Sequence, residues 1–218
     1  MTREEQRIIR ELKKPLKQTC KETGKRRKWK TIAECQYQVR DGVLYMLYVT
    51  LSAVNNGRAL KAWLSCKPVG LDELFWEIFH MKEEAAKMPF SFHVNGAFTA
   101  PVLTLDRWKQ PLPSPEELDA AVEAVFDQAE DLVEQNPFPD LAAYRARWEN
   151  LPPRSDRALS IVLCLLGEGG YQRAMDEIDA ALARHDDGGF LRMNGKQGIM
   201  EDARDWCAVR LAEQEDSN

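Results

Sequence analysis

The dipeptide Asp41-Gly42 constrains this chain more than any other pair of residues. A two-residue turn of that composition places both residues at positive φ, which Asp tolerates and Gly adopts freely, and it fixes the register of two antiparallel strands. The flanking sequence agrees. Upstream, Ala33, Cys35, Tyr37 and Val39 alternate with Glu34, Gln36, Gln38 and Arg40, the pattern of a half-buried strand. Downstream, VLYMLYVTLS is apolar or aromatic on both faces, as befits a central strand. Asn56-Gly57 turns the chain again, and residues 58–66 supply a third strand. These signals predict an antiparallel meander.

On either side of the meander the period becomes helical. Over residues 3–22, Ile8, Ile9, Leu12, Leu16 and Cys20 form one apolar stripe, and Arg3, Arg7, Arg10, Lys14, Lys17 and Lys21 form a basic one. Pro15 removes a backbone donor, so a kink or restart is expected there, and Gly24 supplies a stop. After Pro68 and Gly70, the residues Leu71, Leu74, Phe75, Ile78 and Phe79 mark a helix reaching about Lys87. Phe90, Phe92 and Val94 then alternate with Ser91, His93 and Asn95. With Asn95-Gly96 and residues 97–106 they read as a second hairpin. Residues 109–115, KQPLPSP, read as a linker.

Beyond it the pattern stays helical. Ser114, Pro115 and Glu117 form a capping box, followed by the apolar face Leu118, Ala121, Val122, Val125, Ala129, Leu132 and Val133. Further helices are expected at about 140–149, 156–167, 171–185 and 199–213, and the pair 156–185 resembles one tetratricopeptide-type hairpin. The fold class is therefore α+β: an N-terminal helix, an antiparallel β-meander with an inserted helix, and a helical C-terminal region. Residues 1–108 hold helix and sheet and residues 114–218 the helical region. Tryptophans at 63, 76, 108, 148 and 206 are spread along both, which favours a single packed unit.

Most catalytic chemistry has no motif to stand on. The cysteines Cys20, Cys35, Cys66, Cys164 and Cys207 lie far apart with no CxxC spacing, so they read as reduced thiols of a cytosolic protein, without a zinc site. Cys164, inside IVLCLL, reads as core. His80 and Glu84, one helical turn apart, are the nearest approach to a metal pair, and a solvated surface pair is the simpler reading. No metal or cofactor is expected. The N-terminus is charged from its third residue and no apolar run approaches the roughly 20 residues of a membrane span, so neither a secretory signal nor membrane insertion is expected.

Charge is laid out unevenly. Residues 1–30 carry a net +8, residues 31–113 balance, and residues 114–218 carry −13, giving −5 overall. Glu123, Asp127, Glu130 and Glu134 form an acidic stripe on the first helix of the C-terminal region, opposite its apolar face. Such a stripe is a solvated face, an internal counterweight to the basic end, or a surface for a partner. As a binding surface it suits a basic protein, with charge acting mainly on association rate and partner choice. KRRKWK at 25–30, with Trp29 among its lysines and arginines, is the feature a nucleic-acid-binding module would use. Trp29 covering a sheet edge is the competing reading, and the acidic remainder of the chain disfavours nucleic acid.

The stretch LKKPLKQTCKETGKRRKWKT, followed by a sheet and then by KPVGLDELFWEIF, resembles the bacterial family known as domain of unknown function 4304. Leu71, Asp72, Leu74 and Trp76 occupy the positions of its LD-x-L-x-W helix, and DGGFLRMNGKQGIMEDARDWC looks like its closing helix. The resemblance brings no established activity with it. It suggests the company of small bacterial immunity proteins. With it, the sequence reads as a non-catalytic cytoplasmic binding protein, an immunity protein that neutralises a basic toxin domain through Glu123, Asp127, Glu130 and Glu134. The alternative is a small enzyme with its site between sheet and helical region, for which His93, Glu34 and Asp106 are the candidates.

Overall fold

The computed structural model describes residues 3–54, 57–111, 113–190 and 198–216. Asn56 of the second expected turn, Leu112 of the expected linker and residues 191–197 of the tail lie outside them. The described chain forms an α+β structure with one antiparallel five-stranded sheet in the order β1-β2-β3-β4-β5. Two compact units can be recognised. One comprises residues 1–66 and 102–137, the other 67–101 and 138–218.

The first unit begins with helix α1 (Arg3–Arg26), which runs through Pro15 without restarting. Leu12, Leu16 and Cys20 are buried along it, while Arg7, Arg10, Lys14, Lys17 and Lys21 face solvent. Gly24 is not the stop. The helix ends two residues later, where Lys28 adopts φ 64°. Its amide reaches the Lys25 carbonyl (3.3 Å) and the Trp29 amide reaches that of Gly24 (2.8 Å), the paired bonds of a Schellman cap. Gly24 matters instead for close approach, since a Cβ there would lie 2.7 Å from Gln36 Oε1.

The sheet follows as β1 (Lys30–Ile32), β2 (Cys35–Arg40), β3 (Val43–Val54) and β4 (Gly57–Pro68). Asp41 and Gly42 both have positive φ, 50° and 76°, and join β2 to β3 with Arg40 opposite Val43. Residues Val43 to Leu47 are all buried, as a central strand requires. In β2, Cys35 and Tyr37 face inward as expected, but Gln36 is also buried and Val39 is exposed. Strand β5 (Leu103–Pro111) closes the sheet against β4, pairing Cys66 with Leu103 and Ala59 with Pro111. KQP is therefore strand and not linker. An edge strand tolerates a terminal proline because its outer side needs no ladder partner. The unit ends with α5 (Leu118–Gln135), where the Glu117 side chain accepts from the Ser114 amide (2.9 Å), half of the expected capping box. Leu118, Val122, Val125, Phe126, Ala129 and Val133 are its buried face.

The second unit opens with α2 (Gly70–Ile78), shorter than the sequence suggested. His80, at φ 57°, ends it with another Schellman cap: its amide reaches the Glu77 carbonyl (3.2 Å) and the Met81 amide that of Trp76 (2.7 Å). A short helix α3 (Lys82–Ala85) follows, so His80 and Glu84 do not share a helix face. Residues 91–95 form the one-turn helix α4 (Ser91–Asn95) and not a strand. Gly96 ends it at a point where a Cβ would fall onto the Phe92 carbonyl. Helices α6 (Leu141–Glu149), α7 (Ser155–Gly167), α8 (Tyr171–Ala183) and α9 (Ile199–Glu215) then pack in sequence, each against the next. The turn from α7 to α8 uses Gly169 at φ 76°, and α8 ends on His185 at φ 60°, so two of the three histidines serve as helix stops.

Candidate functional site

The acidic stripe has partners inside its own unit. Positions 123, 127 and 130 stand one turn apart on α5 and face the end of α1. Arg27 reaches all three: its Nε and Nη2 donate to Glu123 Oε2 (3.0 and 2.7 Å), Nη2 also to Asp127 Oδ1 (2.6 Å), and Nη1 to Glu130 Oε2 (2.8 Å). Arg26 and Thr23 donate to the other oxygen of Glu123, and Trp29 Nε1 to Glu130 Oε1 (3.3 Å). One turn earlier, Thr19 donates to Asp119 (3.0 Å). Burial opposes the charge on Arg27, but its hydrogen bonds to Asp127 and Glu123 outweigh this and raise its pKa. Burial likewise pushes Glu123 up, and the two arginines more than reverse this, holding its carboxyl below the ordinary range. Glu134, the last of the four, lies beyond this cage and is exposed.

The cage also takes apart the 25–30 run. Arg26 and Arg27 are engaged, and Trp29 is buried with its edge on Phe126, ring centroids 5.9 Å apart. The lysines keep their exposure: Lys13, Lys14, Lys17, Lys21, Lys25, Lys28 and Lys30 all face solvent. Beside Lys13 and Lys17 a groove of about 140 Å³ opens between α1 and the sheet, lined by Leu16, Cys20, Val49 and Leu51.

In the second unit the chemistry gathers on Asp72, in the first turn of α2. Its Oδ1 accepts from Lys67 Nζ (2.8 Å) and from the Ala100 amide (2.8 Å), and its Oδ2 lies 2.8 Å from His93 Nδ1. Lys67 and Asp72 are wholly buried, and the His93 side chain is 12% exposed. Burial holds the Lys67 ammonium below its ordinary value against the opposing pull of Asp72. The His93 ring centroid is 4.8 Å from those of both Trp76 and Phe90, and Trp76 Nε1 donates to the Phe98 carbonyl (2.7 Å). The carboxylate held by Lys67 fixes the orientation of the His93 ring through Nδ1. It also ties the β4–α2 corner to residues 93 and 100. Nearby, Glu77 accepts from Lys82 (2.6 Å), Trp206 (3.2 Å) and Arg210 (3.3 Å). The Lys82 bond, with the other two donors, holds its carboxyl low against burial.

The other enzymatic candidates have partners of their own. Glu34 stands 3.4 Å from Lys13, and Asp106 accepts from the Arg107 amide (2.7 Å). The cysteines are free and buried, and burial pushes the thiols of Cys20, Cys35 and Cys164 up to about 12, so none of these three is a thiolate near neutrality. Among the described residues no three His, Cys, Asp or Glu side chains gather as a metal site, and no helix is long and apolar enough to cross a membrane. The chain matches no family model, no curated protein and no solved structure. Sequence reasoning missed Lys67, and it offered the basic end as one counterweight to the acidic stripe without singling out Arg26 and Arg27. A lysine at the end of an apolar strand, five residues before an aspartate that opens a helix, was the available signal for Lys67.

Proposed function

We propose that the protein is a non-catalytic binding protein of the immunity kind, and that its recognition surface is the lysine row of α1 and not the acidic stripe of α5. One observation carries this reading. Glu123, Asp127 and Glu130 are taken up by Arg26 and Arg27, while Lys14, Lys17, Lys21 and Lys25 are left facing solvent on one helix. A uniform cationic row speeds encounter with an acidic surface and rejects basic ones. The partner is accordingly acidic on the side that meets α1. The resemblance carried by Leu71, Asp72, Leu74 and Trp76 supports the association with toxin neutralisation. The test is co-expression with the product of the reading frame immediately upstream, followed by size-exclusion chromatography. One complex is expected. A folded K14E/K17E/K21E variant should associate more slowly, and the wild-type complex should weaken as salt rises. A complex indifferent to both, or no complex, overturns the reading.

A further inference from the structure

Resting on that reading, we infer that the groove beside Lys13 and Lys17 is an anchor pocket, which takes one large apolar side chain from an acidic segment of a partner protein. The size of the groove sets the first constraint. Its volume is about 140 Å³, close to the roughly 150 Å³ of a cavity known to hold one benzene molecule. That is room for a single phenylalanine or leucine side chain.

The lining sets the second. Leu16, Cys20 and Val49 are buried in the lining and Leu51 is half-buried, so the slot offers apolar surface that a partner's side chain would take out of water. The rim is cationic. Lys13 and Lys17 stand one helical turn apart, about 6 Å between their Cβ atoms, and both are exposed. Carboxylates flanking an inserted side chain meet them at the solvated rim, while a basic segment is repelled.

Glu34 completes the design. It lines the same groove and sits 3.4 Å from Lys13, with both side chains more than half exposed. An arriving carboxylate displaces Glu34 from Lys13, so Glu34 acts as a weak internal competitor that lowers affinity. An apolar slot with a two-lysine rim is the arrangement of a binding hot spot, in which a buried anchor supplies most of the energy and rim charges choose the partner.

The probe is the peptide acetyl-Glu-Asp-Phe-Glu-Asp-amide, titrated into the full-length protein and followed by backbone amide shifts. Shifts confined to residues of α1, β2 and β3 around the groove are expected. Replacing Phe by Ala in the peptide should weaken binding about tenfold or more. K13E/K17E should weaken it comparably, with its melting temperature close to wild type because both lysines are exposed. E34Q should tighten it, an effect that damage to the fold would not produce. Equal binding of the Ala peptide, or of one with Lys in place of its acids, overturns the inference. So does tighter binding of dodecanoate, which would assign the groove to a lipid. A dimer in sedimentation that L51K abolishes would assign it to a second copy of this chain and overturn the inference too. If K13E/K17E abolishes the complex with the upstream product while the Phe and Ala peptides behave alike, the binding reading survives and the anchor pocket does not.

Discussion

Arg27 and Lys67 are both cations held within a folded unit, and they are held in opposite ways. Arg27 is one-fifth exposed and meets three carboxylates, one of which, Glu123, it shares with Arg26, so solvent and salt reach the cluster. Lys67 has no exposure and one carboxylate, Asp72, which itself takes two further polar contacts, the Ala100 amide and His93. In the first arrangement the loss of one member leaves others to compensate. In the second, removing either partner strands a buried charge. The comparison teaches where the molecule can be varied: carboxylate by carboxylate on α5, and scarcely at all around Asp72.

The sharpest way to break the comparison is Asp72→Ala. It should destabilise the protein by about 3–5 kcal/mol in denaturant unfolding, because the ammonium loses its partner. K67M/D72A should recover part of that loss. A loss below about 1 kcal/mol would mean that Lys67 finds water, and the contrast with Arg27 would vanish. Arg27→Ala should cost less, about 1–2 kcal/mol, since its bonds are charge-assisted but partly screened. Unlike the Asp72 variant, its deficit should shrink as sodium chloride is raised.

Acid should act on the α5 side. The Glu123 carboxyl is held below its unfolded value, about 4.3, so its contribution is present above that pH and is lost as pH falls through the folded value. Stability measured from pH 6 down to pH 2 should therefore fall more steeply for wild type than for E123Q. The smallest effect belongs to Glu134→Lys, within about 0.5 kcal/mol, because that side chain stands outside the cage. A larger loss would show that the cage extends one turn further than its hydrogen bonds indicate.

The parts of the fold legible in the sequence were those with local causes. Asp41-Gly42 fixed its hairpin because both residues must enter positive φ whatever surrounds them. The apolar stripes of α1 and α5 were readable for the same reason: the helical period is set within one segment. Residues 90–95 misled because so short an alternation also fits a helical turn, with Val94 buried and Phe92 stacked on Trp76. Helix ends misled where Lys28, His80 and His185 take a left-handed position that glycine usually signals. The acidic stripe could be seen and the basic end offered as its counterweight, but not which cations meet it, since nothing near Glu123 in sequence indicates Arg27.

That separation has a consequence in time. Arg27 and Glu123 are 96 residues apart, and a ribosome adding about 5–20 residues per second needs on the order of 5–20 s to travel from one to the other. During that interval residues 67–101, which belong to the other unit, are synthesised. The nascent α1 therefore waits with Arg26 and Arg27 uncompensated and Trp29 without Phe126. A chain that stalls or terminates before α5 carries a concentrated positive end and an open aromatic surface. Quality control would meet such a fragment as a basic, sticky species, while the finished protein is acidic overall.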